Sequence, residues 1–243
     1  MRSGKLRDIR IAAFGAHAGD MEITAGALLM KYSHHGASTM TIHALRPSGK
    51  WAKPPNLTVE QYAQQRYDQA FQVGKLLGTQ IRFMGYKEGE PFESEDMISK
   101  VCGVLADFEP DIVLTHWKGS YHPDHILTFL NVNEGINRAK NNASTKGKPS
   151  PRVRGFFFPE NWEDPQGFQH DIYVDVSDQL EAYIDAISLY DFTDGKYSGF
   201  DYIGYYRALA RLRGIEARCK YAQVFMIPNE WATRRQVGEF LPL

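Results

Sequence analysis

The feature that most constrains the fold is an alternation of short apolar runs with longer helix-like segments. Four apolar or β-branched runs occur in the first half of the chain, at residues 9–14, 39–45, 81–84 and 112–115. The intervening helical segments are predicted at 21–35, 58–77 and 94–108. Strands that alternate with helices form right-handed βαβ units. The sequence therefore predicts an α/β fold with a mostly parallel sheet that carries helices on both faces.

The second half of the chain continues this pattern less regularly. A polar stretch of low complexity, Ala139 to Pro151, is predicted to be a mobile surface loop. Strand-like runs follow at 153–158 and 172–176, with helices near 179–190 and 202–218 and a last apolar run at 221–227. Because no repeat or linker interrupts the chain, we expect a single domain over residues 1–243.

Composition removes several classes of protein. A net charge of −1 gives no electrostatic basis for binding nucleic acid or an anionic membrane. No apolar run approaches the ~20 residues that span a membrane, and no signal peptide is recognisable, so we expect a cytoplasmic protein. The two cysteines, Cys102 and Cys219, form no CxxC pair, which excludes a thiolate zinc site and argues against a disulfide framework.

Two short segments carry residues suited to chemistry. Gly15 to Glu22, with His17 and Asp20, follows the first predicted strand, and His122 to His125 follows the fourth. In open parallel sheets, ligands bind beyond the carboxyl ends of strands near the point where strand order reverses. We therefore expect both segments to lie at one site.

Imidazole and carboxylate side chains together suit zinc, and three protein ligands with an open fourth position are typical of a catalytic site. His17 and Asp20 lie three residues apart at a strand-to-helix turn, and His125 supplies a third ligand. Each motif also has a purely structural interpretation. The first could be a helix N-cap with a neighbouring hydrogen bond, and the second a proline turn stabilised by Asp124.

In these two motifs the chain resembles the LmbE-like (PIG-L-like) de-N-acetylases. The first motif of that family is Ala-His-Pro-Asp-Asp-x-Glu, and the second is His-Pro-Asp-His. Here the first motif is Ala16-His17-Ala18-Gly19-Asp20-Met21-Glu22, and the second is intact at 122–125. Supporting similarity extends through 65–68, 211–214 and 220–223. The resemblance implies a Rossmann-like α/β fold and a zinc enzyme that deacetylates N-acetylglucosamine-type substrates.

Carried over residue by residue, the resemblance implies that His17, Asp20 and His125 bind zinc or another divalent metal. It implies that His122 polarises the scissile carbonyl or protonates the leaving amine, and that Asp124 orients a neighbouring imidazole. The expected partner is a small molecule, an N-acetylated sugar, with no nucleic acid and no membrane. The resemblance is also compatible with a homo-oligomer.

Further positions are matched on the same basis. Arg66 corresponds to a contact with sugar hydroxyls, Glu88 to an acidic loop position near substrate, and Glu22 to a structural acidic residue behind the ligands. Among the remaining histidines, His43 is predicted to be a core residue or to support a ligand, and His116 to line the pocket.

The chain departs from the family at Gly19, where the family has the aspartate expected to act as general base. A positioned general base typically contributes about 10² to 10⁴ in rate. Three interpretations stay open: Asp124 or Glu22 takes this role, the substrate is easier to cleave or supplies a base, or the protein binds ligand without turnover. We expect a zinc-dependent amidohydrolase that removes an N-acetyl or similar acyl group. The alternative is a catalytically impaired metal- or sugar-binding homologue.

Two other enzyme classes that use related folds do not match. A dinucleotide-binding oxidoreductase needs a GxGxxG turn, but the first turn has the form Gly15-x-x-x-Gly19. An α/β-hydrolase needs a GxSxG elbow, which the chain lacks.

Overall fold

The computed structural model describes residues 8–89, 94–145 and 153–228. The described residues form seven strands: β1 (Arg10–Gly15), β2 (Ser38–Arg46), β3 (Gln80–Lys87), β4 (Ile112–Thr115), β5 (Gly155–Pro159), β6 (Ile172–Asp175) and β7 (Ala222–Met226). The same part of the chain forms six helices: α1 (Asp20–His34), α2 (Val59–Leu77), α3 (Ser94–Phe108), α4 (Pro123–Thr145), α5 (Leu180–Ile187) and α6 (Tyr202–Ala217).

The seven strands form one sheet in the order β3-β2-β1-β4-β5-β7-β6. The first five strands are parallel to one another, and β7 pairs antiparallel with both β5 and β6. The predicted mostly parallel α/β sheet is therefore confirmed. Strand order reverses between β1 and β4, because the chain first moves from β1 towards β3 and then returns to the other side of β1.

The central strands carry apolar side chains on both faces, which explains why helices pack on both faces of the sheet. Along β1, Ala12 and Phe14 pack into the core beneath α3 and α4, whereas Ile11 and Ala13 pack against α1. Successive side chains of a strand point to opposite faces, so a continuous apolar run needs a buried partner on each side. In the described part of the chain, no helix is both long and apolar enough to cross a membrane.

Helix α4 corrects the sequence prediction for residues 139–151. It runs to Thr145, so the loop predicted from Ala139 is wrong over 139–145, and residues 146–151 lie outside the described residues. The apolar positions Phe129, Val132 and Ile136 recur at a spacing of three and four and pack into the core, with Ala139 against its edge. This narrow stripe lies among polar residues, which conceals the helical period in the sequence.

Candidate metal centre and substrate pocket

The loops after β1 and β4 meet at the reversal point of the sheet, as the sequence predicts. β1 and β4 are hydrogen-bonded neighbours, and the Ala16 backbone N–H donates to His116 Nε2 at 3.0 Å across the two loops. Helix α1 begins at Asp20, and Ile23 N–H donates to the Gly19 carbonyl at 2.8 Å. Helix α4 begins with Pro123 in its first turn, where a missing N–H costs nothing.

His17, Asp20 and His125 are brought together here, with one donor atom of each within 4.8 Å of the others. Asp20 Oδ2 lies 3.5 Å from His17 Nδ1 and 3.5 Å from His125 Nε2. Two ligand atoms bound tetrahedrally to zinc at about 2.0–2.1 Å are about 3.4 Å apart. The three residues therefore fit a zinc ion in both donor type and spacing.

Ionisation at these residues also suits a cation. Burial and the neighbouring His116 hold the pKa of His125 well below its ordinary value, so its imidazole is neutral and can act as a ligand. Burial opposes ionisation of Asp20, but its interactions with His125, His17 and His116 outweigh this effect and hold the Asp20 pKa well below its usual range. Burial likewise opposes protonation of His17, yet the surrounding carboxylates raise its pKa to about 10. This concentration of negative charge favours a divalent cation in place of that proton.

A buried pair behind the cluster supports the first loop. Glu22 and His43 are completely buried and form an ion pair with 2.9 Å between Oε1 and Nε2. His43 Nδ1 lies 3.0 Å from the His17 carbonyl oxygen. This connection agrees with the supporting position predicted for His43. The buried His116 lies 3.0 Å from Asp20 Oδ2 and does not line the cavity, contrary to prediction.

His122 and Asp124 lie on the cavity side of the cluster. Asp124 Oδ2 is 3.1 Å from His17 Nε2, so the carboxylate can orient the imidazole whose other nitrogen faces Asp20. Burial and the neighbouring His17 lower the pKa of His122. His17, His122 and Asp124 form a second group with metal-ligand spacing, which shares one histidine with the first group.

The cluster forms one wall of an open cavity of about 550 Å³. Arg66 from α2 and Glu88, directly after β3, both line this cavity, so all seven residues selected from the sequence lie at one site. Glu88 Oε2 accepts from the Ser48 backbone N–H at 2.8 Å and from the Ser48 hydroxyl at 2.5 Å. Burial opposes ionisation of Glu88, but these hydrogen bonds and Arg66 lower its pKa.

Sequence reasoning missed Glu163, which lines the cavity from the loop after β5. Its Oε2 lies 3.8 Å from His125 Nδ1, and burial together with Asp20 raises its pKa to about 7. The signal was available, because β5 is parallel to β4 and its carboxyl end lies at the same edge of the sheet. Several aromatic residues from the C-terminal half also line the cavity: Trp162, Phe192, Phe200, Tyr202 and Tyr206.

Gly19 has a backbone conformation that disfavours any other residue. Its φ is +109°, and a Cβ built there would lie 2.9 Å from the Phe192 ring. Phe192 is buried and its ring also contacts Trp51, Tyr190 and Tyr202, so a shift of the ring disturbs other packed side chains. The departure from the family motif is thus accompanied by an aromatic residue that fills the space beside it.

A Rossmann-like α/β sheet with a histidine–aspartate cluster at its reversal point defines a class of proteins with a candidate metal site in an open pocket. A family model described as "PIG-L: GlcNAc-PI de-N-acetylase" matches residues 12–134, just over half of the chain. The chain belongs to the PIG-L family, as its two motifs predict.

Solved structures with the same fold include enzymes of different kinds. The 4-carboxy-2-hydroxymuconate hydratase of Pseudomonas putida KT2440 is 18% identical, with a TM-score of 0.81 over 96% of this chain and 100% of the hydratase. The N,N'-diacetylchitobiose deacetylase of Pyrococcus horikoshii is 19% identical, with a TM-score of 0.75 over 93% of this chain and 85% of the deacetylase. A zinc-inhibited form of teicoplanin deacetylase is 15% identical, with a TM-score of 0.62 over 91% of this chain and 99% of the deacetylase.

Proposed function

We propose that this protein is a zinc-dependent amidohydrolase that removes an N-acetyl or similar acyl group from an amino sugar or a related small conjugate. The observation that carries the proposal is the cluster of His17, Asp20 and His125, whose donor spacing fits zinc inside a substrate-sized cavity. The description of the family and the chitobiose deacetylase of similar fold support the choice of reaction.

The side chains of the pocket divide the work of amide cleavage. When bound, zinc supplies a Lewis acid that polarises a carbonyl oxygen and makes water more acidic. Asp124 orients the imidazole of His17 through the 3.1 Å contact between Asp124 Oδ2 and His17 Nε2. His122, at the cavity wall, is positioned to assist the oxyanion or the leaving amine.

A group other than residue 19 has to accept the proton of the attacking water. Glu22 is unsuited to this role, because it is completely buried beside His43 and does not line the cavity. Asp124 and Glu163 both line it. We assign the proton acceptor to one of these two carboxylates.

Two other functions are compatible with the pocket. The first is metal or sugar binding without turnover, which Gly19 favours because the family's base is missing. The second is addition of water to an unsaturated acid, the type of reaction named for the hydratase of similar fold. The buried cation of Arg66 in the cavity favours this second function, because it could hold an acid group.

The proposal also covers the setting of the reaction: one domain, a cytoplasmic protein, a small-molecule substrate and a homo-oligomer. Zinc is the proposed metal because of its donor preference. Since one deacetylase of this fold is described in a zinc-inhibited form, metal loading should be tested with zinc, manganese and cobalt at stoichiometric amounts.

The test is amine release from a panel of N-acetylated amino sugars, with metal-free and metal-loaded protein compared. We expect release only with metal, and none from His125→Ala at the same protein concentration. An unsaturated dicarboxylate, followed by loss of its ultraviolet absorbance, tests hydration in parallel. If metal-loaded protein releases no amine from any substrate but binds them, the amidohydrolase proposal is wrong and the binding function stands.

A further inference from the structure

The cavity contains a buried guanidinium with two nitrogens that have no hydrogen-bond partner among the described residues. Arg66 is only 2% exposed and lines the cavity. Its Nε and Nη1 atoms are buried and donate no hydrogen bond. Leaving a buried charged group unpaired is costly, so such a group is usually matched by an opposite charge. Within residues 8–89, 94–145 and 153–228, no side chain or backbone group supplies that match through a hydrogen bond to Nε or Nη1.

Two aromatic rings pack against the guanidinium from one side. The Arg66 Cζ atom lies 5.5 Å from the centroid of the Trp51 ring and 5.0 Å from that of Phe192. The two rings also contact each other, with centroids 5.4 Å apart. A cation–π contact attracts the cation to the face of an aromatic ring and supplies no lone pair for the N–H donors of the guanidinium. The Nε and Nη1 donors of Arg66 therefore still need an acceptor, which a carboxylate in the cavity could supply.

The cavity carboxylate that interacts with Arg66 through space, Glu88, is already engaged elsewhere. Glu88 accepts two hydrogen bonds from Ser48 through Oε2, and its Oε1 lies 3.9 Å from His17 Nε2. Arg66 contributes to lowering the pKa of Glu88 through space, without a hydrogen bond between them. Glu88 thus moderates the charge of Arg66 but leaves its donors unused.

The charge around the cavity limits which anion fits. Four carboxylate residues line it, against Arg66 and the exposed Lys50. The carboxylates are Asp20, Glu88, Asp124 and Glu163. A singly charged carboxylate matches one guanidinium in charge and planar shape, whereas a dianionic phosphate would bring a second negative charge close to the carboxylates that line the cavity.

We propose that Arg66 binds a carboxylate of the substrate, so that this pocket selects acidic N-acylated molecules over neutral sugars. The inference rests on the proposed amidohydrolase function, which identifies the bond that is cleaved, and it adds the chemical class of the substrate. Phe192 connects it to the altered motif, because the ring that holds Arg66 also fills the space beside Gly19. A side chain at position 19 would displace the ring that presents the guanidinium.

Isothermal titration of zinc-loaded protein with matched acid and neutral ligands tests the proposal. The first pair is N-acetylglucosamine and its 6-carboxylate, and the second is N-acetylleucinamide and N-acetylleucine. We expect each acid to bind about 10- to 100-fold more tightly than its neutral partner, as for hydrogen bonds to a charged group. N-acetylglucosamine 6-phosphate is the third arm, and we expect it to bind more weakly than the 6-carboxylate.

Variants separate Arg66 from the other positive charges of the protein. Arg66→Met should remove the preference for acids, and Arg66→Lys should retain part of it. The control Lys75→Met removes an exposed charge from the same helix and should keep the full preference. A carboxylate that binds only to the metal would keep its preference in Arg66→Met, and this result would overturn the proposal.

The remaining outcomes distinguish this inference from the proposed reaction. Equal affinity for acids and neutral partners in the unmodified protein overturns the carboxylate site, even if neutral sugars are deacetylated. Tighter binding of the phosphate than of the carboxylate also overturns it. If acids bind in an Arg66-dependent way but no compound releases amine, the carboxylate site stands and the amidohydrolase function falls.

Discussion

Position 19 offers the sharpest test of how this pocket is built. Gly19→Ala adds a Cβ to a residue with a φ of +109° and directs it to 2.9 Å from the buried Phe192 ring. Backbone strain at such a φ costs about 1–3 kcal/mol. Forcing extra volume into a packed site costs about 1–3 kcal/mol more. We expect Gly19→Ala to lower the free energy of unfolding by about 4 kcal/mol in total.

Two further variants separate these contributions. Gly85 has a φ of +95° with nothing within 4 Å of an added Cβ, so Gly85→Ala reports backbone strain alone. Phe192→Leu removes the far end of the ring, at a cost of about 1–2 kcal/mol by itself. In that background, Gly19→Ala should cost about 2 kcal/mol less than in the unmodified protein, because the steric part is relieved.

The assay is equilibrium urea unfolding of metal-free protein, followed by far-ultraviolet circular dichroism. The reasoning is refuted if Gly19→Ala costs no more than Gly85→Ala, or if Phe192→Leu leaves its cost unchanged. The result also bears on function. If it holds, Gly19→Asp alone cannot restore the family's base, and the carboxylate has to be introduced together with a smaller residue at position 192.

Three other predictions concern the metal and the proton. His125→Ala should lose stoichiometric zinc, measured by plasma mass spectrometry after dialysis, whereas His122→Ala should keep zinc and lose turnover. If His122→Ala loses zinc and His125→Ala keeps it, the metal belongs to the second ligand group, His17, His122 and Asp124. Glu22→Gln should lower the free energy of unfolding by about 3 kcal/mol, because it breaks a buried ion pair, and should weaken zinc about 10- to 100-fold; unchanged stability in urea would contradict this. One of two variants, Asp124→Asn or Glu163→Gln, removes the proton acceptor, and that variant should reduce kcat by about 10² to 10⁴ while it retains zinc. If kcat falls less than tenfold in both variants, neither residue is the proton acceptor.

The alternation of apolar runs and helical segments was sufficient to predict the parallel sheet. Each central strand is apolar on both faces, so burial on both sides is the only stable arrangement. Helix α4 was missed because its apolar stripe is narrow and its other positions are polar. Its apolar stripe packs against α3, a tertiary contact that the local sequence pattern of α4 does not encode.

For the site, the sequence by itself determined the residues that follow β1 and β4. Parallel strands end at one edge, so His17, Asp20 and His125 could be brought together by topology alone. The tertiary structure decided the rest. Phe192 reaches the cavity from a loop whose direction depends on packing. Glu163 follows a strand that ends at the predicted edge, but no motif distinguishes it from the other residues of its loop. Whether the Arg66 guanidinium has a hydrogen-bond partner likewise depends on every group around it. Only the folded chain fixes those neighbours, because burial and charge pairing depend on side chains from many parts of the sequence.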